Sequence, residues 1–178
     1  MKKLSLKYLV LSGLFLALGL IMPFFTAQIP SIGNRLLPMH IPVLLCGFIC
    51  GGPYGLAVGF ITPIFRSVIF GMPPMFPTAV AMAFELAAYG FVSGIIYRLL
   101  PKKNIYIYTT LIISMICGRA IWGIVSILLY GANGTAFSWK LFMTGAFINA
   151  IPGILIQIII IPIIIIAVTK SNLIESGE

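Results

Sequence analysis

Charge is what this sequence has least of. Only 8% of its 178 residues are Asp, Glu, Lys or Arg, where a soluble domain carries about 25%. The shortfall excludes an ordinary water-soluble domain and points to an integral membrane protein. Acids are scarcest: there are three, and only Glu85 lies outside the C-terminal tail. No pair of carboxylates is therefore available inside an apolar segment for general acid–base chemistry. The single histidine, His40, has no Ser or Cys at a recognisable motif spacing. Neither an H-E-x-x-H zinc motif nor a G-x-x-x-x-G-K-[ST] phosphate loop occurs. The chain is thus not expected to be an enzyme, and it cannot hydrolyse ATP by that route.

Cysteine is also sparse. Cys46, Cys50 and Cys117 lie in apolar runs without metal-ligand spacing, and free cysteine behaves as a small buried hydrophobe. No metal site and no cofactor are expected. The net charge of +8 is not gathered into a basic stripe or dense patch. It is explained by the positive-inside bias of membrane proteins rather than by a nucleic-acid partner. Alternation of the kind a membrane β-barrel needs is missing from stretches such as "ILIQIIIIPIIIIAV" (154–168).

What the chain does have is hydrophobic length, at 61% of its residues. A bilayer core of about 30 Å needs roughly 20 apolar residues per helix. Six segments qualify or nearly do, at about 4–25, 36–50, 55–70, 78–100, 105–130 and 142–169. They predict one all-α transmembrane domain over 1–178. The breakers between them are "QIPSIGNR", "GGPYG", "GMPPMFP", "LPKKN" and "GANGTAFSW". The basic, apolar start could pass for a signal peptide. Its apolar stretch is long for one, and no small-x-small cleavage site follows, so it reads as the first transmembrane helix. Segments two and three look short for spanning helices. Their Pro38, Pro42 and Pro63 suggest kinks or packing inside the bundle.

With six spans both termini share a side. Lys2, Lys3, Lys7, Arg98, Lys102, Lys103 and Lys170 then fall together, leaving Arg35 and Lys140 in loops opposite. Both termini are expected to be cytoplasmic. Small residues recur at helical spacing: Gly47, Gly51, Gly55 and Gly59; Gly90 and Gly94; Gly13 and Ala17. Such spacing lets helix backbones approach in lipid, and for segments two to four packing within one subunit explains it.

This topology sets the depth of the polar residues. At about 1.5 Å rise per residue, His40, Arg66, Glu85, Arg119 and Asn149 all fall in the outer half of the bilayer, and Gln157 near its middle. They come from five different segments, so local sequence bias does not explain the level they share. Intramembrane ionisable groups usually pair, face the bundle interior or line a pathway. An outer polar cavity closed below by apolar side chains follows. The inner halves hold almost no ionisable groups, which argues against a continuous proton relay. Two arginines and one glutamate leave one positive charge over. Glu85 is expected to pair with Arg119 by depth, leaving an arginine for an anionic group. Tyr89, one turn from Glu85, and Trp122, three residues from Arg119, suit a small organic ligand.

A structural reading stands beside each assignment. Glu85 and Arg119 could simply join two helices, Arg66 could snorkel to the outer headgroups, His40 could cap an irregular helix start, and Asn149 could be interhelical glue. A self-sufficient secondary carrier and a non-transport membrane scaffold remain as alternative functions.

Size, six segments and the stretches "LLPMHIPVLLCGFICGGPYGLAVGFITPIFRS" (36–67), "MPPMFPTAVAMAFELAAYGFVSGIIYR" (72–98) and "GAFINAIPGI" (145–154) carry a resemblance. Over nearly its whole length the chain resembles the substrate-binding S components of energy-coupling factor (ECF) vitamin transporters. The resemblance implies the S-component bundle with both termini inside, in a prokaryotic cell membrane. It also implies a vitamin bound from outside, and association with a transmembrane coupling subunit and two ATP-binding cassette ATPases. Gly13 and Ala17 look like the family's small-x-x-x-small contact to the coupling subunit, usually Ala-x-x-x-Ala. The whole subunit would topple to carry its site inward, with "FTAQIPSIGNR" and "GMPPMFP" as lids. The surplus positive charge favours an anionic substrate such as pantothenate; riboflavin, pyridoxine, folate and niacin stay open.

Overall fold

The structure, a computed structural model, describes residues 6–26, 35–101, 103–132 and 138–171. Among the described residues there is no strand. The main helices are α1 (Leu6–Ile21), α2 (His40–Cys50), α3 (Gly52–Phe70), α4 (Val80–Leu99), α5 (Asn104–Ala132) and α6 (Ile151–Lys170). Their outward faces are greasy: Leu9, Val68, Ile116, Leu128 and Ile163 are all exposed. A surface of that kind is stable against lipid and not against water. Five helical stretches, all but α2, are long and apolar enough to cross a membrane, and the chain is a multi-pass membrane protein.

Helix α2 is 11 residues long, about 16 Å, roughly half a bilayer core. All of its residues except Ile49 are buried, and α1, α3, α4 and α6 pack around it. A helix apolar on every side belongs in a protein interior, and this one forms the axis of the bundle. Pro42 sits in its first turn, where no backbone N–H is required. Segment three differs from expectation: it is not short. Gly52 and Pro53 open a continuous 19-residue helix, with Pro63 inside it. A proline in the first turn has the right φ for a helix start, which extends the segment back to the turn at Gly51.

That turn needs glycine, because Gly51 has φ 98°. Arg98, in the last turn of α4, donates from Nη2 to the Cys50 carbonyl at 2.8 Å. It thereby satisfies a carbonyl that the end of α2 leaves free. Higher up, the backbones of α3 and α4 touch at Gly55 and Gly90, where a Cβ on either would overlap the other's main chain. The glycine spacing serves close packing within this chain.

Segment six is also not one helix. A five-residue helix, Trp139–Met143, runs into a π turn, Thr144–Ile148, and α6 begins only at Ile151. Pro152 lies in the first turn of α6. The chain turns at Asn149 and Ala150, and a proline in the first turn, where no backbone N–H is needed, suits the restart. Asn149 thus lies in the turn just before α6, and Gln157 is the seventh residue of that helix.

Candidate functional site

The site grows from α4. Glu85 is its sixth residue and is 2% exposed. Arg119 on α5 donates from Nη1 to Glu85 Oε1 at 2.8 Å. His40, the first residue of α2, places Nε2 3.5 Å from the same oxygen. The pair expected from depth alone is present, with His40 at its side. Tyr89, one turn inward on α4, packs edge-on to His40 with ring centroids 5.1 Å apart. Its ring also fills the space beside Gly118, where a Cβ would come within 2.6 Å of it. Three helices thus converge on one carboxylate.

The cluster is incompletely satisfied. Arg119 Nε and Nη2 and His40 Nδ1 are buried without a hydrogen-bond partner, and so is Gln157 Nε2 on α6. A guanidinium carries five donors in a planar fork; this one gives Nη1 to Glu85 and also hydrogen-bonds with Tyr89. Buried donors without acceptors are costly, and the two on Arg119 suit an acceptor-bearing molecule. The described residues contain no group of three or more His, Cys, Asp or Glu able to hold a metal.

The other sequence candidates lie elsewhere. Arg66, on α3, is buried but does not reach Glu85. It donates from Nη1 to the Leu20 carbonyl at 2.6 Å and lies over the rings of Phe24 and Phe70, at 5.0 and 5.3 Å. The local sequence explains this. The chain tightens to a 3-10 turn at Met22–Thr26, and Pro23 has no N–H to offer Leu20 three residues back. The Leu20 carbonyl is left for Arg66. Trp122, one turn outward from Arg119, stacks on Phe142 at 6.2 Å and lies against Gly145. Asn149 is exposed beside the start of α6. Gly13 and Ala17 lie on the outward face of α1, and Gly13 has nothing within 4 Å of where a Cβ would stand. The proposed lid "FTAQIPSIGNR" lies largely outside the described residues, since 27–34 are among those not described.

Gln157 was legible as a polar residue, but its burial was not, because hydropathy carries no facing direction in an apolar run. Facing direction was equally hidden for Arg66: depth places a residue along a helix, not around it.

Fold and site together define an all-helical membrane protein with a buried, donor-rich polar cluster and no catalytic constellation among the described residues. The family model for the ECF transporter substrate-specific component matches residues 7–165, and the chain belongs to that family. It is accordingly a substrate-specific subunit of an ECF transporter, a transport component and not itself an enzyme. No curated protein and no solved structure matches it.

Proposed function

We propose that this chain is the high-affinity binding subunit of an ECF-type importer for a water-soluble vitamin. The reading places it in a prokaryotic cell membrane with both termini cytoplasmic. The observation that carries it is the buried Glu85–Arg119 pair with Nε and Nη2 of Arg119 left without a hydrogen-bond partner. Glu85 neutralises and orients Arg119, and its free Nε–Nη2 edge has the geometry for a carboxylate. His40 and Tyr89 form the adjoining wall, Trp122 lies one turn above, and Asn149 stands at the outer mouth. Arg66 secures the break after α1, an anchoring role beside the site. An anionic B vitamin, pantothenate first, suits an arginine with one edge free.

Transport follows from partners. Without an ATPase motif of its own, the chain associates with a transmembrane coupling subunit and two ATP-binding cassette ATPases. Gly13 and Ala17 on the bare face of α1 provide the close contact. The substrate enters from outside and is delivered inward with the subunit.

The test is mass spectrometry of small molecules released from gently purified protein. One anionic vitamin at near-stoichiometric amount is expected, with cellular uptake that requires the coupling module. Uptake by this chain alone on a proton gradient, indifferent to loss of the ATPases, overturns the proposal.

A further inference from the structure

A cleft opens at the opposite end of α4 from Glu85. The start of α5 and the end of α6 meet there beside the last turn of α4, around about 60 Å³ of open space. Tyr97, Ile107 and Ile166 form its apolar floor, and Lys103, Asn104 and Lys170 its polar rim. Tyr97 and Ile107 are buried, while both lysines are exposed. Arg119 lies about 24 Å along α5 from Lys103, so the cleft is separate from the Glu85 cluster. A single water needs about 10–15 Å³ of such space. The cleft therefore suits a small polyatomic group and is too small for a nucleotide.

Its charge is one-sided. Two ammonium groups from distant parts of the chain share the rim, and they repel one another unless an anion joins them. Among the described residues the single carboxylate is Glu85, already bonded to Arg119. The other two acids, Glu175 and Glu178, lie outside the described residues. The start of α5 adds to the positive field, because the first N–H groups of a helix have no partner within it. The floor decides between sources of the anion. A soluble phosphate ion gains nothing from an apolar floor. Both helices also carry exposed apolar side chains within two turns of the rim, Ile105 and Tyr108 on α5 and Ile163 on α6. A lipid can set its phosphate on the rim and lay its chains along them.

We propose that this cleft binds the phosphate of an anionic lipid, held between the Lys103 and Lys170 ammonium groups with the Asn104 amide as a further donor. Basic pockets between transmembrane helices recognise such headgroups. Assignment to the inner leaflet rests on the topology proposed above; the site itself does not depend on the vitamin reading.

The experiment uses the full chain in detergent, titrated with phosphatidylglycerol, phosphatidylcholine or inorganic phosphate and read by native mass spectrometry and thermal shift. Phosphatidylglycerol is expected to bind about ten-fold more tightly than phosphatidylcholine, whose choline neutralises its phosphate. Lys103→Gln with Lys170→Gln should weaken phosphatidylglycerol binding at least about ten-fold. Arg35→Gln with Lys140→Gln removes the same charge from the opposite end of the bundle and should change it by less than about two-fold. Equal affinity for the two lipids, or equal losses in the two double variants, overturns the proposal. Binding of inorganic phosphate that needs both lysines, without preference between the lipids, assigns the cleft to a soluble anion and overturns the lipid. Tighter phosphatidylglycerol binding by Glu175→Gln with Glu178→Gln, by about ten-fold, assigns the cleft to the chain's own tail and overturns it as well.

Discussion

Arg119 Nη1 lies 2.8 Å from Glu85 Oε1, joining α5 to α4 deep inside the bundle. Both side chains are nearly inaccessible, at 5% and 2% exposure. In such a place neither ion is stable without the other.

Removing one charge should therefore cost more than removing both. Glu85→Gln leaves Arg119 buried and uncompensated, and a loss of about 3–5 kcal/mol is expected. The double variant Glu85→Gln with Arg119→Met should recover much of it. Denaturation of the detergent-solubilised protein measures both. Additive losses in the double variant would show that the two charges do not stabilise one another.

Arg119→Lys separates pairing from binding. Lysine can still meet Glu85 as a point charge, but it lacks the second planar edge. Stability within about 1 kcal/mol of wild type is expected, with ligand affinity reduced at least about ten-fold. The ligand that co-purifies with the wild type is the probe. Retained affinity would mean that the free edge is not used.

Charge balance sets a third outcome. A ligand carboxylate on Arg119 places two carboxylates on one guanidinium, and His40 is the adjoining group able to take up a proton. Glu85 and Tyr89 from α4 and Arg119 from α5 are the ionisable groups around it. Binding should draw in close to one proton, read as a buffer-dependent heat in titration calorimetry. His40→Gln should abolish that dependence. Identical heats in buffers of different ionisation enthalpy would exclude proton uptake.

The glycines divide into two kinds, and one substitution at each tells them apart. Gly90→Ala drives a methyl into the Gly55 backbone, and a stability loss of about 1–3 kcal/mol is expected. Gly13→Leu meets nothing inside the chain. Fold and ligand affinity should survive it, while substrate uptake in cells with the coupling module should collapse. Normal uptake would remove α1 from the coupling interface.

Much of this protein was written in its composition. A chain with 8% charged residues and several apolar runs of spanning length has one stable setting, a helical bundle in lipid, because unpaired backbone cannot survive there otherwise. Depth counting was enough to prefer Arg119 over Arg66 as the partner of Glu85, since a lone carboxylate in a low-dielectric interior needs an opposite charge at its own level. The glycine spacing likewise announced close helix contacts.

Three matters were left to the tertiary structure, each with its own physical reason. The partner of Arg66 depends on which way a side chain points around its helix, and a carbonyl freed by Pro23 competes with a distant carboxylate. The place of α2 on the bundle axis is a consequence of how the other helices pack around a helix too short to span. The start of α6 was decided by a π turn and the turn at Asn149 and Ala150, which interrupt an apolar run that hydropathy alone reads as continuous and leave Asn149 exposed and Gln157 buried.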